Sequence, residues 1–80
     1  MLTVKAVALR ICNIMIEKNL TKKDVYKEVA MNESTLRTIL EEKNKSVNLD
    51  TLILICDGLG ITIQEFLNDD LFKRDNLDVE

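Results

Sequence analysis

Glu33, Ser34, Arg37, Thr38 and Glu41 stand three and four positions apart in a stretch that otherwise alternates with Leu36, Ile39 and Leu40. On a helix that spacing gathers Ser34, Arg37, Thr38 and Glu41 on one outward quadrant, with Glu33 at its leading edge. Hydroxyls donate and accept, the guanidinium donates from a planar fork, and a carboxylate only accepts. The chemistry of such a set is reversible hydrogen bonding to the polar edge of another molecule. In many helices an outer face of this kind is simply solvated.

The rest of the chain offers little competing chemistry. Histidine is absent, which removes the commonest general base and most zinc sites. Cys12 and Cys56 are isolated, sit in apolar runs and read as two buried free thiols. No nucleophile–base pairing, phosphate loop or cofactor fingerprint is visible, so neither an enzyme nor a cofactor is expected. Lys5 and Arg10 interrupt the apolar start MLTVKAVALRICNIMI well short of the ~20 residues of a membrane span. Neither a membrane partner nor a small-molecule ligand is expected, and the chain reads as cytoplasmic.

Several elements must position the polar face. Eighty residues make one small domain. Prolines are absent and the only glycines are Gly58 and Gly60, which favours helices over tight β-turns. Few aromatics leave a core of Leu, Ile and Val. A first helix is expected from about Thr3 to Lys18, with Val4, Val7, Ala8, Ile11, Cys12, Ile14 and Met15 forming its core arc. Leu2, Leu9 and Ile16 widen that arc beyond what a small core needs. Either the C-terminal segment folds back over them or a second copy does.

Asn19 suits the left-handed end of the first helix. Thr21 caps a second helix, Lys22 to Val29, with Asp24 in its first turn. After Ala30-Met31, Asn32 caps a third, Glu33 to about Glu42. A basic loop, Lys43 to Val47, leads to Asn48, the cap of a fourth helix from Leu49 to about Leu59. Its buried set is Leu49, Leu52, Ile53, Ile55, Cys56 and Leu59, and Gly60 stops it. Thr62 caps a fifth, Ile63 to about Asn68, with Phe66 and Leu67 inward. Residues 1–68 thus form the domain, and residues 69–80 an acidic tail. The tail is expected to be either disordered or a last helix docked through Leu71, Phe72, Leu77 and Val79.

Five helices with this punctuation resemble the Cro/phage-repressor helix-turn-helix family, of the xenobiotic-response-element type. The resemblance covers roughly Val7 to Leu67. It rests on Leu20-Thr21, on Met31-Asn32-Glu33-Ser34-Thr35-Leu36, on Leu49-Asp50-Thr51-Leu52, on Gly58-Leu59-Gly60-Ile61 and on Phe66-Leu67, in that order and spacing. It implies an all-α, compact five-helix, lambda-repressor-like DNA-binding domain, with room for a short extra C-terminal helix. The chain departs from the family where Tyr26 replaces a small residue at a helix crossing, and where Ala30 replaces a corner glycine of positive φ. Lys22 and Glu42 replace a common glutamine and a common glycine.

The resemblance also implies roles. The third helix would lie in the major groove, with Glu33, Ser34, Arg37 and Thr38 at base edges. Thr35 would contact the backbone, as would Thr21, Lys22 and Lys23, and a second clamp of Lys43, Asn44, Lys45 and Ser46 on the other side of that helix. The function implied is a sequence-specific DNA-binding transcriptional regulator, a repressor binding a palindromic operator in double-stranded DNA as a homodimer. The dimer contact would come from the first-helix stripe or, as is more usual in the family, from the C-terminal end with Leu71 and Phe72.

The formal net charge of −3 runs against such a partner. It is unevenly spread. Residues 1–48 hold nine Lys/Arg against six Asp/Glu, a balance of +3, and residues 49–80 hold two against eight, a balance of −6. The glutamates on the third helix keep an alternative open: a protein-interaction module of the same fold, an antitoxin-like or antirepressor partner that has lost DNA binding.

Overall fold

The computed structural model describes residues 1–79. Its order is α1 (Thr3–Lys18), α2 (Lys22–Tyr26), α3 (Glu33–Leu40), α4 (Leu49–Leu59) and α5 (Ile63–Leu67), then two 3-10 turns, Asp70–Phe72 and Arg74–Asn76. The fold is all-α. Among the described residues the sole extended pairing is an isolated bridge between Leu2 and Asp78.

Side-chain caps start four of the helices. Thr21, Asn32, Asn48 and Thr62 each accept from the amide three residues on, satisfying a donor that the helix itself leaves free. Each such cap contributes about 1 kcal/mol. Thr21 and Asp24 complete a reciprocal capping box: the Thr21 amide donates to Asp24 Oδ2 at 2.8 Å and the Asp24 amide to Thr21 Oγ1 at 3.2 Å.

Three helices end in the same way. Asn19, Glu42 and Gly60 have positive φ of 57°, 58° and 75°. At each, paired backbone bonds close the last turn: Leu20 to Met15 O, Lys43 to Thr38 O and Ile61 to Cys56 O, with the preceding amides on Ile16, Ile39 and Asp57. Asn19 and Gly60 suit that geometry. Glu42 does not, yet the third helix, expected to reach it, stops at Leu40 and uses Glu42 as its left-handed exit.

The core is a cluster of Val7, Ile11, Ile14, Val25, Leu36, Ile39, Leu52, Ile55, Cys56, Leu59 and Phe66. Helix α2 crosses α4 at Gly58, where an added Cβ would lie 1.8 Å from Val25 O. Only glycine permits that approach. Two cations on α1 tie it to later helix ends. Arg10 donates from Nε to Phe66 O at 2.8 Å, from Nη2 to Glu65 O at 2.9 Å and from Nη1 to Asp69 Oδ2 at 3.2 Å. Lys18 Nζ donates to Leu59 O at 3.0 Å. Both satisfy carbonyls left free at a helix C-terminus, where positive charge is favoured.

Several expectations are corrected. Helix α2 ends at Tyr26, not Val29. Residues 27–30 form turns, with Val29 donating to Tyr26 O at 3.4 Å and Met31 to Val29 O at 2.8 Å. These short bonds turn the corner without a positive φ at Ala30, so no glycine is required there. Tyr26 is half-buried at the last position of α2. Cys12 is exposed while Cys56 is buried, because Cys12 lines an open groove between α1 and Leu40 of α3 and does not enter the core. Leu49, Ile53 and Leu67, expected inside, are exposed: among the described residues no segment covers those faces.

The tail forms two 3-10 turns instead of a last helix. Phe72 packs on Phe66 with ring centroids 5.6 Å apart, and Leu71 and Leu77 are half-buried, while Val79 is exposed. The first 3-10 turn packs on α1, but Leu2, Leu9 and Ile16 stay bare at 52%, 36% and 79% exposure.

Candidate nucleic-acid interface

Helix α3 is anchored by Leu36 and Ile39, both buried, with Leu40 and Met31 packed beside them. This fixes which side faces out: Glu33, Ser34, Arg37 and Glu41 are exposed, and Thr35 and Thr38 are half-buried at its border. The four expected base contacts therefore share one face.

All four are engaged within the protein. Arg37 Nη1 donates to both carboxylate oxygens of Glu33, at 3.0 and 3.1 Å. Ser34 Oγ donates to Asn32 Oδ1 at 2.7 Å, and Thr38 Oγ1 to Thr35 O at 3.0 Å. Asn32 Oδ1 also receives the Thr35 amide and the Thr35 hydroxyl, both at 2.9 Å. Asn32 is thus the hub of the leading end of α3. It was expected only as a cap, and no spacing rule signals the two extra hydroxyls.

Apart from Thr35, on α3 itself, the expected phosphate contacts fall into two groups. Thr21, Lys22 and Lys23 are exposed at the start of α2. The Thr21 amide and hydroxyl both serve the Asp24 carboxyl, so this end offers the two ammonium groups. The Asp24 carboxyl is held below its usual range by the Thr21 amide, then by the Thr21 hydroxyl side and by Lys27 at 3.3 Å.

Lys43, Asn44, Lys45 and Ser46 follow the Glu42 exit and are exposed. Lys43 Nζ lies 2.9 Å from Glu41 Oε2. That hydrogen bond, helped by the charges of Lys43, Arg37 and Lys22, holds the Glu41 carboxyl below its usual range despite slight desolvation. Lys22 and Lys43 therefore both act on Glu41, at the C-terminal end of α3. Lys45, Ser46 and Val47 line a groove of about 460 Å³ shared with Leu2, Thr3, Asp78 and Val79.

An outward polar helix, set by a cap and a buried pair beside a shorter preceding helix, has the form of a DNA reader. A family model described as the Cro/C1-type helix-turn-helix DNA-binding domain matches residues 10–70. The chain belongs to this family. It is a DNA-binding transcriptional regulator of the helix-turn-helix type. The matched span runs from Arg10 through the start of the first 3-10 turn at Asp70, which takes in the Arg10 contacts with Phe66 and Asp69. The chain matches no curated protein and no solved structure. Among the described residues no helix is long and apolar enough to cross a membrane.

Proposed function

We propose that this protein is a repressor that binds a palindromic operator in double-stranded DNA as a homodimer, with α3 in the major groove. The observation that carries the reading is the exposed α3 face, fixed by the Asn32 cap and by buried Leu36 and Ile39, with Lys22 and Lys43 at its C-terminal end. Glu33, Ser34, Arg37 and Thr38 meet base edges, while Thr21, Lys22, Lys23, Thr35, Lys43, Asn44 and Lys45 serve the phosphates. Occupancy of the operator suffices to block transcription, which is why repression is the mode assigned. The role is binding and not catalysis.

The dimer contact is assigned to α1. Phe72, one of the alternative anchors, is committed to Phe66 and the core. The α1 stripe is bare, and from Cys12 and Ile16 it continues into an apolar groove of about 410 Å³ closed by Met15, Leu20 and Leu40. Two subunits on half-sites about one helical turn apart combine contacts that are modest singly.

A second reading is favoured by one observation: Arg37 and Lys43 are neutralised by Glu33 and Glu41 on the same face. On that reading the fold serves a protein partner and DNA binding has been lost. An anisotropy titration with DNA from upstream of the protein's own gene separates the two. Binding whose log affinity falls linearly with log salt supports the repressor. A folded chain that binds no such DNA at low salt supports the interaction module.

A further inference from the structure

Resting on the proposed groove contact of α3, we infer that its hydroxyls act as acceptors, so that the half-site places adenine N6 or cytosine N4 amino groups opposite Ser34 and Thr38. A hydroxyl carries one proton and two lone pairs. Ser34 gives its proton to Asn32 Oδ1 at 2.7 Å, Thr35 gives its own to the same oxygen at 2.9 Å, and Thr38 gives its own to Thr35 O at 3.0 Å. With these protons turned inward, the Ser34 and Thr38 oxygens show the outside only lone pairs, while Thr35, the third donor on an Asn32 oxygen that has two lone pairs, is the one that can turn its proton out to a phosphate. Glu33 is an acceptor as well. Arg37 is then the one side chain among the four at base edges that offers protons to a base.

The major groove presents two kinds of edge. Guanine N7 and O6 and thymine O4 accept, whereas adenine N6 and cytosine N4 donate. An acceptor set matches the second kind. Reversing a hydroxyl to meet guanine or thymine gives up an internal hydrogen bond, which sets the discrimination at roughly three- to tenfold per position. Asn32 is the positioning residue. Its Oδ1 is fixed by the Thr35 amide at 2.9 Å, so the polarity of the Ser34 hydroxyl follows from the geometry of the helix cap. Arg37 covers the opposite preference, as the bidentate partner of one guanine.

The test is selection of operators from a randomised duplex pool by the full chain and by its Ser34→Ala and Thr38→Val variants. Positions whose preference relaxes in a variant are those its side chain reads. In the wild-type selection those positions should be adenine or cytosine. Replacing that adenine by purine, which lacks the amino group, should weaken wild-type binding roughly three- to tenfold. It should cost the matching variant nothing. Guanine or thymine at the relaxed positions, or an amino group whose removal is silent, overturns the inference and leaves DNA binding standing. A folded chain that selects no sequence overturns both this inference and the repressor reading.

Discussion

Arg37 and Glu33 form an ion pair one helical turn apart, with a single guanidinium nitrogen 3.0 Å from one carboxylate oxygen and 3.1 Å from the other. Both side chains are about half exposed, so the pair contributes little to stability, on the order of 0.3–0.5 kcal/mol. Its importance is to binding. The charge most useful against DNA is held by the charge least useful there. Glu33→Gln should leave the urea midpoint nearly unchanged while tightening DNA binding at low salt. Arg37→Ala should weaken specific binding by ~1–3 kcal/mol and relax one base position. Identical affinities across wild type and both variants would remove α3 from the groove.

Ile16 is the most exposed of the bare α1 residues, at 79%. A charge there disturbs no internal packing. Ile16→Glu should yield a monomer in sedimentation equilibrium with a thermal midpoint close to wild type. Operator affinity should fall, because the two half-sites no longer bind as one. A variant that stays dimeric would move the interface away from α1.

Two backbone positions should respond in opposite directions. Gly58→Ala should destabilise the fold by about 1–3 kcal/mol, because its Cβ meets Val25 O at 1.8 Å and α2 must move away from α4. The ~1 kcal/mol that alanine normally gains over glycine in a helix is too small to reverse this. Glu42→Gly should stabilise by roughly 0.5–1 kcal/mol, since φ is 58° there. Chemical denaturation of both variants checks the pair, and a stabilised Gly58→Ala would contradict the α2–α4 crossing.

Asp24 gives the fold an acid-sensitive contribution. Its carboxyl is held below the ordinary value by the Thr21 amide first, then by the Thr21 side chain and Lys27. A depressed carboxyl stabilises the fold above its unfolded pKa of ~3.9 and loses that contribution as pH falls through the lower folded value. Asp24→Ala should therefore melt below wild type at pH 7, with the two curves converging in strong acid. A gap that persists undiminished at the lowest pH would place the effect in packing and not in the capping box.

The punctuation of the chain was legible in its residues alone. Thr21, Asn32, Asn48 and Thr62 cap the helices where expected, and Asn19 and Gly60 end two of them, because each acts on backbone groups only a few residues away. The face of α3 was legible for the same reason: Leu36 and Ile39 turn inward at helical spacing and leave Glu33, Ser34 and Arg37 outside. Only the tertiary structure decided what depends on partners distant in the chain. It set Gly58 against Val25, sent the Arg10 fork to α5 and the tail, and left Cys12 in solvent while covering Ala6. It cut α2 at Tyr26 and put Glu42 in a left-handed exit that its side chain does not favour. The hydrogen-bond polarity of the α3 hydroxyls belongs here too, because residue type supplies a proton but only geometry decides where it points.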